Sequence, residues 1–213
     1  MKKSILRSFS LILVATGLTI VASSFTIEKG KNKNAKAEPK TWSVDKMHSN
    51  INFSVSHLVI SEVDGSFKVY DGKIVSTSDD FNNASVEFSV DVNSINTDNS
   101  SRDGHLKGDD FFNAATYPKM TFKSTSFTKV SGNKYTLTGD LTVRNVTKKA
   151  TFNVVYGGTA KDGYGNTKAG FKATGSINRF DYGLKWNALT EAGGATVGAD
   201  VDLSLKLEFA LNK

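Results

Sequence analysis

A chain of 213 residues with a formal charge of +6 and no cysteine suits a single all-β domain and excludes disulfides, thiolate metal sites, a cysteine nucleophile and a lipid-modified cysteine. The charge sits in front: residues 1–37 hold seven Lys/Arg against Glu28 alone, whereas residues 38–213 carry 20 basic and 20 acidic side chains. The body of the chain is neutral, so no surplus of Lys/Arg remains to displace counterions from phosphates, and nucleic acid is excluded as a partner.

Lys2, Lys3 and Arg7 open the chain, and Ser8 to Ile27 then run without a charge through Leu11-Ile12-Leu13-Val14 and Leu18-Thr19-Ile20-Val21-Ala22. A charged start followed by an apolar stretch is the pattern of a secretory signal. Residues 1–27 are therefore read as a signal peptide or N-terminal hydrophobic segment. Cleavage has two candidate points, Val21-Ala22-Ser23 inside the apolar stretch and Ala35-Lys36-Ala37 beyond it. An uncut anchor is the alternative, since about 20 apolar residues span a bilayer. On either reading the remainder is expected outside the cytoplasm, periplasmic or secreted, with no membrane span in the mature chain if the segment is cut. Residues 28–40 are polar and charged, too poor in large apolar groups to offset the entropy of ordering, and read as a flexible leader.

From residue 41 to 213 the dominant period is two. Ile51, Phe53 and Val55 alternate with Asn52, Ser54 and Ser56; Val86, Phe88, Val90 and Val92 alternate with Ser85, Glu87, Ser89 and Asp91. Asn99 to Lys107 departs from this and predicts a short helix, with Asn99 or Ser100 as N-cap and Asp103 near the positive end of its dipole. Tyr117-Pro118 stops any helix before the next strand. Met120 and Phe122 open that strand, although Phe127 breaks its parity. Tyr135, Leu137, Leu141 and Val143 share one face of another, as do Ala150, Phe152, Val154 and Tyr156, then Phe171, Ala173 and Ile177. Leu184 to Thr196, with Trp186 and Gly193-Gly194, reads as a long loop at a barrel mouth. In Val197 to Leu211 every odd position is apolar and nearly every even one polar or small, the signature of a strand with one buried face. At ~3.3 Å per residue it runs about 50 Å and must curve.

Turn signals at Asp64-Gly65, Asp71-Gly72, Ser131-Gly132-Asn133, Gly157-Gly158 and Asp162-Gly163 divide these runs into hairpin-linked strands. The fold class is all-β: an extended, antiparallel up-and-down barrel of about eight strands with one short helix, closed so that no edge is exposed. Such a barrel is either filled by its own side chains or holds one ligand. Phe53, Val55, Phe88, Phe122, Leu141, Phe152, Phe171 and Ile177 form the candidate apolar lining, and Gly139 and Gly175 sit at inward parity. An apolar tube suits a long hydrocarbon, which gains roughly 25 cal/mol per Å² buried without directional contacts. A solid barrel, acting as a surface or stress-related interaction module, is the alternative.

Seven segments carry a resemblance. Trp42-Ser43-Val44-Asp45 with His48-Ser49, Phe53 to Leu58, Val63 to Phe67, Arg102 to Leu106, Asp110-Phe111-Phe112 with Tyr117-Pro118, Gly139 to Arg144 and Asn178 to Leu184 resemble the YceI-like family in order and spacing. The resemblance covers nearly all of residues 41–213. It implies a lipocalin-like barrel, exported to the periplasm or medium, that binds polyisoprenoid or related amphiphilic lipids in its interior; a homodimer is compatible with such a barrel. Where the family often has Gly after the Arg of its Leu-Thr-x-Arg segment, this chain has Asn145, which tolerates a left-handed turn nearly as well.

Three polar residues are candidates for the tube's mouth. His57 has inward parity at a strand end and either holds a lipid headgroup or is a buried His bonded to a neighbour. Arg144 and Arg179 adjoin turns and offer guanidinium forks to a phosphate; for Arg179 a structural pair with Asp181 or another acid is the alternative. His48 and His57 are nine residues apart, which puts them on opposite faces of an unbroken strand, so no metal site is expected. His105, beside Arg102 and Asp103, reads as a loop-fixing group. Asp109 and Asp110 point apart as sequence neighbours, and no Gly-x-Ser-x-Gly, His-Glu-x-x-His or P-loop occurs. No enzyme activity and no cofactor are expected; the lipid is the only ligand implied.

Overall fold

The structure, a computed structural model, describes residues 37–189 and 196–213. The apolar N-terminal segment, most of the leader and residues 190–195 of the expected mouth loop lie outside the described residues. Among them the strands are β1 (Lys40–Val44), β2 (Asn50–His57), β3 (Ser61–Phe67), β4 (Tyr70–Ser76), β5 (Ser85–Asp91), β6 (Ile95–Asn96), β7 (Lys119–Ser131), β8 (Lys134–Val143), β9 (Val146–Lys161), β10 (Thr167–Asn178) and β11 (Val197–Leu211), with one α-helix, α1 (Ser100–Lys107), and short 3-10 turns at Val92–Ser94 and Arg179–Tyr182.

Eight strands in the order β1-β4-β5-β7-β8-β9-β10-β11 form an antiparallel barrel that closes where Trp42 pairs with Leu211. β11 is long enough to serve two partners: its C-terminal residues pair with β1, while Val197 to Lys206 pair with β2. β2 then pairs with β3, and β3 with the short β6. β11 spans the residues its alternation predicts, and its length is what lets one wall run the full height of the barrel.

Two bulges reconcile the sequence with the sheet. In β7, Ser124 pairs with Gly139 and Ser126 with Thr138, so Thr125 is the extra residue. The parity break at Phe127 follows: the bulge turns Phe127 back to the interior, 2% exposed, on the face that Phe122 already occupies. In β9, Gly158 pairs with Gly170 and Tyr156 with Phe171, leaving Gly157 as the bulge. Gly157-Gly158 is thus not a turn, and neither are Asp64-Gly65 and Asp71-Gly72, which lie inside β3 and β4. In the sequence these glycines read as punctuation. Gly65 and Gly72 instead stand directly across from Phe53 and Phe88.

Helix α1 is capped as expected, Asn99 accepting from the Arg102 amide at 3.0 Å. Asp103 accepts from the amide and hydroxyl of Thr97 while Arg102 donates to the Thr97 hydroxyl and carbonyl, fixing the helix against the end of β6. The β8–β9 turn carries Arg144 at φ 48° and Asn145 at φ 61°, the left-handed backbone that Asn supplies at little cost.

Candidate functional site

Inside the barrel, two aromatic clusters bound a hollow middle. At one end the loop between β4 and β5 places Phe81, 1% exposed and at φ 60°, among Trp42, Tyr156 and Phe171, with ring centroids 5.2, 5.4 and 5.1 Å away. Phe127, Tyr135 and Phe209 extend this packing. Asp80 braces the loop: its carboxylate meets Ser78, the Asn82 amide and Lys129, and its carbonyl accepts from the Tyr135 hydroxyl. The Ser78 hydroxyl, the Asn82 amide and Lys129 hold the Asp80 pKa down at about 2.

The second cluster joins Phe111, Val143, Tyr182 and Leu184, with Trp186 packed against it. His105 meets Phe111 and Trp186 edge-on and hydrogen-bonds Asp110 at 3.1 Å. It is a loop-fixing group, as its neighbourhood in the sequence suggests.

Between the clusters the inward residues stay only partly buried. Phe53, Val55, Phe88, Val90, Phe122, Leu141 and Ile177, with Val201, Leu203, Leu205 and Leu207 along β11, keep accessible surface. They border a cavity of about 200 Å³ that is partly open to the exterior. Its walls are almost wholly hydrocarbon and aromatic; Thr121, Arg179 and Tyr182 are the polar side chains on it. Along β11 the wall runs from Val197 to Leu207, roughly 33 Å of strand and, at the usual barrel tilt, about 25 Å of axis.

Every residue of the expected apolar lining borders this cavity except Phe171, which packs into the closed end against Phe81 and Phe209. The polar candidates sit differently. Arg179, 3% exposed, gives Nε to the Gly198 carbonyl at 2.7 Å, Nη1 to those of Leu184 and Trp186 at 2.7 Å each and Nη2 to that of Val197 at 3.2 Å. Its plane covers Phe180 at 4.2 Å. The guanidinium touches the cavity but is spent on four carbonyls rather than on Asp181, and burial lowers its pKa. Arg144 likewise donates to the carbonyls of Phe111 and Gly183, at 2.7 and 2.8 Å. Both arginines tie backbone around the second cluster. His57, half-buried at the end of β2 opposite Val197, does not border the cavity.

Sequence reasoning missed Phe81, since a lone aromatic in the polar run Ser78 to Asn83 shows no period; that isolation is the signal that was available. It also missed Leu106, Phe111 and Phe112, which close the cavity from the α1 side.

Asp45, His48 and Glu208 bring ligand-type atoms together, but Lys168 is already there, bonded to Asp45 and 3.3 Å from Glu208. Hydrogen bonding from Lys168 holds the Asp45 carboxyl far below its ordinary range. This is an ion-pair network tying the break between β1 and β2 to β10 and β11.

An elongated, closed antiparallel barrel with an apolar internal cavity defines a lipocalin-like barrel protein. The chain belongs to the YceI-like domain family, whose model matches residues 42–209. It is 36% identical over 173 residues to UPF0312 protein SA2479 of Staphylococcus aureus strain N315, covering 81% of this chain and 98% of that one. Among solved structures it resembles the Campylobacter jejuni YCEI protein, with TM-score 0.61 and 32% identity over 74% of this chain and 90% of that chain. It also resembles a polyisoprenoid binding domain from Saccharophagus degradans implicated in plant cell wall breakdown, with TM-score 0.59 over 80% and 98% of the two chains. Identity there is 19%, so that likeness speaks for the fold.

Proposed function

We propose that this protein binds a long-chain isoprenoid or related amphiphilic lipid within the barrel and acts as its carrier or buffer outside the cytoplasm. The observation that carries the reading is the hollow middle: inward Phe, Val and Leu side chains leave apolar surface uncovered between two packed ends. A hydrocarbon covering such surface gains roughly 25 cal/mol per Å² buried, from which the entropy of association is subtracted. The Saccharophagus degradans domain, named for polyisoprenoid binding, shares the fold and supports the choice of ligand class. Binding rather than catalysis fits a lining whose titratable side chains are Tyr182 and an Arg179 occupied by carbonyls. The charged, then apolar, N-terminus supports export.

Native mass spectrometry of protein purified from bacteria tests this. The expected result is an added mass that organic extraction removes and whose fragments are those of an isoprenoid. A bare polypeptide mass before extraction, unchanged when lipid is supplied, overturns it.

A further inference from the structure

Four glycines of the sheet each lie under a phenylalanine ring that borders the cavity. A Cβ on Gly65 would sit 2.2 Å from Phe53 Cζ, on Gly72 2.2 Å from Phe88 Cδ2, on Gly139 2.5 Å from Phe122 Cζ and on Gly175 2.8 Å from Phe152 Cδ1. Non-bonded carbons rest at about 3.5–4.0 Å, so each ring occupies space that any side chain would fill. None of the four has a positive φ, so backbone conformation does not require glycine there. Interior glycine weakens a strand, yet the sheet carries one on β3, β4, β8 and β10. All four phenylalanines border the cavity.

Resting on the lipid-binding reading, we propose that Gly65, Gly72, Gly139 and Gly175 determine ligand specificity. They are recesses that let the rings of Phe53, Phe88, Phe122 and Phe152 fold against the wall, holding the bore wide enough for a methyl-branched chain. A methyl in the recess turns the ring toward the axis and narrows the bore where it stands. A branched chain needs more width than a straight one, so it is rejected first.

Gly139 and Gly175 also face backbone oxygens, of Lys123 at 2.4 Å and Thr151 at 2.9 Å, so substitution there strains the sheet. At Gly65 and Gly72 the three nearest atoms all belong to the ring, which makes these two the informative sites. The test compares wild type with the Gly65→Ala/Gly72→Ala double variant for binding of phytanol and n-hexadecanol, alcohols of one backbone length that differ in methyl branches. The variant is expected to lose phytanol by roughly tenfold or more, the scale of a misplaced methyl group, while n-hexadecanol changes by less than about threefold. Adding Phe53→Leu and Phe88→Leu is expected to restore phytanol. Equal losses of both alcohols, or no loss, overturn the proposal, as does a crystal structure of the double variant with both rings still flat on the wall. Failure of wild type to bind either alcohol counts instead against the lipid reading, and the ring positions in that crystal structure still decide whether glycine sets the bore.

Discussion

The rings of Phe81 and Phe171 meet edge-on, perpendicular and with centroids 5.1 Å apart, although Phe81 belongs to a loop and holds a left-handed backbone at φ 60°. Such a backbone is uncommon for a bulky residue and persists here because the ring it delivers plugs the barrel. Phe81→Ala is expected to destabilise the protein by about 3–5 kcal/mol, the cost of truncating a buried phenylalanine, read from urea denaturation. An effect below about 1 kcal/mol would mean that the closed end does not depend on this ring.

Arg179 separates two roles that the sequence left open. With its donors on the carbonyls of Leu184, Trp186, Val197 and Gly198, it fixes the backbone at residues 184–186 and 197–198. Arg179→Met is expected to cost about 3 kcal/mol through carbonyls left without partners, and to raise amide exchange around residues 184–186 and 197–198. A headgroup role predicts the opposite pattern, with lipid affinity lost and stability kept.

Acid should weaken the molecule through Asp45. Its folded-state pKa is depressed below the ordinary 3.8, chiefly by hydrogen bonding from Lys168. A depressed carboxylate contributes stability that is complete above the unfolded value and is lost as pH falls through the folded one. The wild type is therefore expected to lose stability progressively below about pH 4, and Asp45→Asn to lack that component. The side chains are 15% and 16% exposed, and Glu208, 3.3 Å from Lys168, leaves the ammonium a carboxylate partner when Asp45 is replaced. The cost at neutral pH is accordingly about 2 kcal/mol rather than the roughly 3–5 kcal/mol of a fully buried pair. Urea midpoints across pH check both statements.

What the sequence made legible was the set of inward faces. Period-two alternation found β11 to the residue and assigned Phe53, Phe88, Phe122 and Phe152 to the interior, because a strand's pleat leaves a side chain no third direction. Glycine was the blind spot. The same residue type marks a turn at Gly132 and Gly163, a bulge at Gly157 and a ring's resting place at Gly65, and these differ in backbone conformation and in what lies on the neighbouring strand. Arg179 was opaque for a related reason: carbonyl partners leave no trace in side-chain identity. Phe81 could not be placed because the cluster it enters forms only when distant strands close.

The hollow middle itself can be filled. Val201 and Leu205 point into the cavity from β11, Leu205 opposite the small Ala173 on β10. In a well-packed interior, inserting even extra methylenes costs about 1–3 kcal/mol. Where empty space is already present, the rings gain contacts instead. Val201→Phe/Leu205→Phe is therefore expected to change stability by less than about 1 kcal/mol in denaturant titrations, because the cavity rather than the backbone accommodates the rings. The same variant is expected to lose the co-purifying lipid in native mass spectrometry, since the rings occupy the space it needs. Strong destabilisation with the lipid still present would show that these positions are packed, and would place the ligand elsewhere. Phenylalanine rather than tryptophan is the appropriate probe, because it brings no N–H that would be left without a partner in a hydrocarbon lumen.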